Sequence, residues 1–245
     1  MTLLSFHNDP AIKEQYMKRV RAHAQADELI QGQYWKNGKG CAVGCTIHGN
    51  NHAAYETELG LPEWLARLED TLFEGLTNAD AKQFAVDFLE AIPVGVALDR
   101  VKRQFHVFLL QENLDRVQSL PLPPDLKQQI LAAIQQVLTL HEQSLASGVP
   151  VTESVWRDAE SAVWRAWRAA ENAENAVWSA RSARNAAESA ARSARSDAES
   201  ARSAGKAAWS DAESVAENAE NAENARSAAY KRYVDQLLSL LREAR

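Results

Sequence analysis

Cys41, Cys45, His48 and His52 are spaced four, three and four residues apart. On a helix they would share one face. Two thiols and two imidazoles make a shell suited to zinc or another thiophilic metal. The same residues support a second chemistry that needs no metal. A cysteine near a helix start and beside a histidine has a lowered pKa and becomes a nucleophile. Cys45 with His48 or His52 fits that description, with Glu56 or Asp27 to orient the imidazole. The two thiols could also form a redox pair. A third reading is structural: cysteines acting as small buried hydrophobes in a packed loop.

These residues lie in a loop, residues 32–52, which also contains Gly38, Gly40, Gly44 and Gly49. The glycines argue against one continuous helix through the loop. Gly38, Lys39 and Gly40 resemble a fragment of a phosphate loop, but the surrounding frame and a preceding strand are missing.

Helices must position the loop. Asp9 and Pro10 open the first, which spacing carries through Tyr16, Val20, Asp27 and Ile30 to about Gln31. In it His23 and Asp27 form a histidine–carboxylate pair. A short helix from His52 to Leu59 places His52 and Glu56 on one face. Four more follow: one from Pro62 with Leu65, Leu68 and Leu72 inward, one capped by Thr77 or Asn78, one from Leu98 to about Gln118, and one from Asp125 to about Ala146. No alternating run predicts a strand. Lone His7, His106 and His141 read as structural or exposed.

Residues 156–233 are of another kind. Every seventh position from Ala159 through Ala166, Ala173, Ala180, Ala187, Ala194, Ala201, Ala208, Val215 and Ala222 to Ala229 is small and apolar. That is a heptad seam with alanine in place of leucine, which implies a left-handed supercoil. One helix of this length would run to roughly 110 Å at about 1.5 Å per residue. It must fold back or pair, and Gly205 is the expected reversal. Trp164, Trp167, Trp178 and Trp209 lie off the seam and are expected to dock on the N-terminal half. The expected protein is therefore all-α: a helical domain over 1–148 holding the Cys/His loop, and an alanine-seamed antiparallel helical hairpin over 151–245.

The chain of 245 residues carries a net charge of -6, with a pI near 5.6. That balance gives no electrostatic case for nucleic acid or an anionic membrane. No stretch approaches the roughly 18 apolar residues of a spanning helix. The N-terminus has no signal-peptide pattern, and two cysteines suit a reducing compartment, so the expected location is cytoplasmic.

Runs such as Ala186, Ala187, Glu188, Ser189, Ala190, Ala191, Arg192, Ser193 and Ala194 make the tail resemble the alanine-rich helical immunity proteins of bacterial polymorphic toxin systems. The resemblance implies stoichiometric binding of a toxin domain without catalysis. The segment GKGCAVGCTIHGNNHAAYETELGLP resembles a stretch of uncharacterised bacterial proteins and implies no activity. Two functions are expected from the whole sequence. One is a binding protein, with a toxin domain or a second copy as partner through the tail. The other is a thiol- or zinc-type site in the loop.

Overall fold

The computed structural model describes residues 2–120, 122–149, 151–171 and 219–245, with side chains described up to 162 and again from 226. The protein is all-α, with one minor two-stranded sheet. Among the described residues the α-helices are α1 (Pro10–Gln25), α2 (Ala42–Ile47), α3 (Glu63–Gly75), α4 (Asn78–Ala91), α5 (Asp99–Ser119), α6 (Pro124–Ser147), α7 (Glu153–Glu171) and α8 (Ala219–Arg242). The reversal expected at Gly205 and the docking of the four tryptophans lie outside the described residues. Contacts divide the chain into two compact units: Met1–Val101 with Ser227–Arg245, and Lys102–Arg226.

In the first unit, α1 packs on α4 and α2, and α3 packs on α4 and α2. Capping explains where these helices begin. Asp9 accepts from the Ala11 amide at 2.8 Å, and Thr77 Oγ1 accepts from the Asp80 amide at 3.3 Å, each satisfying an orphan N–H. The α3 stripe of Leu65, Leu68 and Leu72 is buried, as are Phe84, Phe88 and Leu89 of α4. Tyr230, Tyr233, Leu237 and Leu241 of α8 are buried too. The Tyr230 ring fills the space where a Cβ at Gly75 would sit, 1.9 Å from its Cε1.

Helix α1 stops earlier than its periodicity suggests. Ala26 ends it, and Asp27 adopts φ 56°. The Glu28 amide then donates to the His23 carbonyl at 3.0 Å. This turn removes Asp27 from His23. Asp27 instead pairs with Lys82, and His23 pairs with Glu28 at 2.6 Å. The helix expected between His52 and Leu59 is a single wide turn, Tyr55–Leu59, closed by Gly60 at φ 62°. A further left-handed turn precedes α1. Phe6, His7 and Asn8 all have positive φ, and Ser5 anchors the turn by donating from Oγ to the Pro93 carbonyl at 2.5 Å.

In the second unit α6 packs on α7. Their core joins Ile130, Ile134 and Val137 to Trp156 and Ala159. Ala159, the first seam position, is buried, as is Ala229 in the first unit. His106, His141 and Trp156 are in ring contact, with centroids 5.2 and 4.8 Å apart. Burial and the neighbouring His141 and Lys102 hold His106 well below its ordinary pKa, so it packs as a neutral ring. Gly148 ends α6 in the left-handed region at φ 69°.

Candidate metal centre

The Cys/His loop is a hairpin followed by a short helix. Strands β1 (Trp35–Lys36) and β2 (Lys39–Gly40) pair antiparallel. Asn37 and Gly38 make the turn, both with positive φ. This Asn-Gly pair is the strongest short hairpin signal a sequence carries. It was legible, but an alternation test cannot detect strands of two residues. Gly40 is tied on both sides: its amide donates to the Glu28 carbonyl, and its carbonyl accepts from the Ile30 amide.

Glycine sets how closely the hairpin lies on α2. A Cβ at Gly40 would meet the Tyr34 carbonyl oxygen at 1.9 Å, and one at Gly44 would meet it at 1.5 Å. Neither position can hold a side chain while Tyr34 stays in place. The Cys41 amide donates to the Gln33 and Tyr34 carbonyls at 2.7 and 3.2 Å. Cys41 also caps α2, its Sγ accepting from the Gly44 amide at 3.5 Å.

The four residues weighed as a zinc shell, Cys41, Cys45, His48 and His52, do not all come together. Cys45 Sγ donates to the Gly40 and Glu28 carbonyls at 3.4 and 3.7 Å. Burial raises its thiol to about 12. Its neighbours are carbonyls rather than an imidazole, so nothing here activates it as a nucleophile. His48 ends α2 at φ 54°, and its Nε2 meets His23 Nε2 at 2.9 Å. Glu56 accepts from the Glu63 amide at 3.0 Å, at the start of α3. The structure thus gives Cys45, His48 and Glu56 separate partners.

Cys41 and His52 converge on α3. Asp70 and Glu74 are four residues apart there, on one face. The ligand atoms of Cys41, Asp70 and Glu74 lie within 4.8 Å of one another, the one such group of three among the described residues. His52 is buried, with Nε2 3.4 Å from Asp70 Oδ2. Neither His52 Nε2 nor Asp70 Oδ1 has a hydrogen-bond partner among the described residues. Tyr34 bonds Asp70 through its side chain, and its ring meets the His52 ring edge-on at 5.5 Å. Gly32, Gln33, Tyr34, Asp70 and Glu74 line a cavity of about 210 Å³ beside the group.

The electrostatics are those of crowded acids. Burial, then the Asp70 carboxylate, pushes the Cys41 thiol far up. Burial raises Glu74, while the Gly32 amide, donating at 2.8 Å, opposes the rise. Beneath them Glu69 is fully buried and accepts from the Tyr55 hydroxyl at 2.6 Å. Burial raises Glu69 to about 8 against the Tyr55 bond, with the Asp70 charge adding to the rise. A divalent cation would invert this logic, stabilising the thiolate and both carboxylates together.

Sequence reasoning missed Asp70, Glu74 and Glu69. On a helical wheel Asp70 and Glu74 fall beside Arg67 and look like a solvated face, whereas Glu69 falls between Leu65, Leu72 and Phe73 on the apolar stripe. Gly32, Gln33 and Tyr34 of the loop face Asp70 and Glu74. No known protein family, curated protein or solved structure matches this chain.

Proposed function

We propose that the protein binds a divalent transition metal of the zinc class through Cys41, Asp70 and Glu74, with His52 as the adjoining imidazole. The observation that carries this reading is the convergence of those three ligand atoms beside a buried His52 Nε2 that has no hydrogen-bond partner among the described residues. A thiolate and an imidazole favour zinc or cobalt over magnesium or calcium, which prefer oxygen ligands. The loop is the expected location of the site, but its ligand set is revised: Asp70 and Glu74 take the places assigned to Cys45 and His48. Both cysteines are free, which suits a reducing cytoplasm.

Elemental analysis of protein purified without chelator tests the reading. About one zinc per chain is expected. Cys41→Ser and Asp70→Asn should each weaken zinc binding by a factor of about 10–100 or more, whereas Cys45→Ser should not. Metal-free protein that takes up neither zinc nor cobalt, or equal affinity in Cys41→Ser, would overturn it.

The alanine seam supports a second reading. A small-residue stripe recurring at eleven heptad positions suits close helix pairing with a toxin domain or with a second copy, as an immunity-like binding protein. A charge placed on the seam, Ala187→Glu, should abolish such a complex. A wild-type chain that sediments as a monomer and binds no toxin domain encoded beside its gene would remove this reading.

A further inference from the structure

The hairpin that holds Tyr34 at the candidate metal centre also has a second side. Trp35, the next residue, stacks flat on His48, with centroids 4.5 Å apart and planes 12° apart. It meets His23 edge-on at 5.5 Å. His48 in turn meets His23 through Nε2 on Nε2 at 2.9 Å, and His23 Nδ1 lies 2.6 Å from Glu28 Oε2. A carboxylate, two imidazoles and an indole thus form one chain across α1, the turn after it, the end of α2 and β1.

The geometry selects a proton, not a metal, between the two histidines. The ring centroids are 5.1 Å apart while the nitrogens are 2.9 Å apart, so the rings meet nearly end to end. A shared metal needs lone pairs converging on a third point. The tautomers follow from the carboxylate. Ionised Glu28 can only accept, so His23 donates from Nδ1. Neutral His23 then accepts at Nε2, and His48 donates from its Nε2. One added proton keeps the chain intact, because His23 as an imidazolium, held by Glu28, can donate to a neutral His48. A second added proton places N–H against N–H, and the contact cannot survive.

We propose that Glu28, His23 and His48 form a proton-operated latch on the hairpin: closed with no or one added proton, and opened by the second. Opening removes the platform under Trp35 and loosens the strand that holds Tyr34 against Asp70 and His52. The charged and titratable groups facing the pair are few. Arg19 of α1 opposes charging of His48, Glu58 of the wide turn favours it, and Glu28 faces His23. Burial also holds His48 below its ordinary value, so opening falls on the acid side of neutrality. Control of the hairpin stands by itself; control of the metal centre rests on the zinc reading above.

The test uses the full chain, first without metal. Histidine ring protons and the Trp35 indole N–H are followed by NMR from pH 8 to 5. Trp35 and the hairpin amides are expected to change only as the pair takes up its second added proton. His23→Gln sets an amide where His23 Nε2 lies; it donates to neutral His48 and, turned over, accepts from charged His48, so no N–H meets N–H and the His48 ring stays under Trp35. In it Trp35 should stay fixed over the same range. A Trp35 signal that does not move in the wild type, or moves equally in His23→Gln, overturns the latch. In a second arm, zinc release is timed at pH 6 and 7.5. The wild type should accelerate more than His23→Gln, by at least an order of magnitude. Equal acceleration overturns control of the centre by the latch. Failure of zinc to bind at all overturns the metal reading, and the metal-free arm still decides the latch.

Discussion

A fully buried carboxyl group is costly unless it is neutral or well bonded. Glu69 has only the Tyr55 hydroxyl on Oε2, and its Oε1 has no partner among the described residues. Burial therefore raises it from 4.5 to about 8. Between those two values the folded chain holds a proton that the unfolded chain has lost. Stability must then fall as pH rises through that window, and be highest below it. Without metal, the wild type should lose up to about 5 kcal/mol across the window, measured by denaturant titration at a series of pH values. Glu69→Gln can still accept from Tyr55 and has no proton to lose, so its stability should stay level. Parallel curves for the two proteins would refute this. The same residue was legible in part. Leu65, Leu72 and Phe73 lie three or four residues from Glu69, so helical spacing sets it on the buried stripe, unlike Glu63 and Glu74. Its partner Tyr55, on a separate turn of the chain, was not legible.

Helices with local signals were legible, because capping and apolar spacing are properties of neighbouring residues. Asp9 and Thr77 mark starts that the structure has, and the α3 stripe is a buried face. Elements set by distant contacts were not legible. The end of α1 depends on Glu28 and Ile30 joining Gly40, which no spacing rule within α1 announces. The loop from Gly32 to His52 read as irregular because its glycines were counted as helix breakers. Their role is close approach. Gly44→Ala should therefore cost about 1–3 kcal/mol or more, since its Cβ would lie 1.5 Å from a backbone oxygen. Gly49→Ala, whose nearest neighbour is its own Ile47 side chain at 3.8 Å, should change stability by less than about 0.5 kcal/mol. Thermal or urea unfolding of the two variants measures the contrast. Equal losses would mean that the hairpin does not rest on α2 as described.

The first compact unit is made from two stretches of chain, with Ser227–Arg245 supplying core to Met1–Val101. Tyr230, Tyr233, Leu237 and Leu241 are all buried there. A chain ending at Arg226 should lose the cooperative unfolding of this unit. Hydrogen exchange should report α3 and α4 as unprotected, and a separate peptide of residues 219–245 should restore protection. Native exchange in the shortened chain would contradict the shared core. The arrangement also sets an order of events during synthesis. Ribosomes add on the order of ten residues per second, so α1 to α4 wait roughly ten seconds or more for the segment that closes their core. Throughout that interval α3 at Gly75 lacks its final cover, the Tyr230 ring, and the nascent chain presents this surface to whatever chaperone stands at the tunnel exit. A message cut short anywhere beyond α4 leaves the same surface open, so incomplete copies carry their own mark for removal.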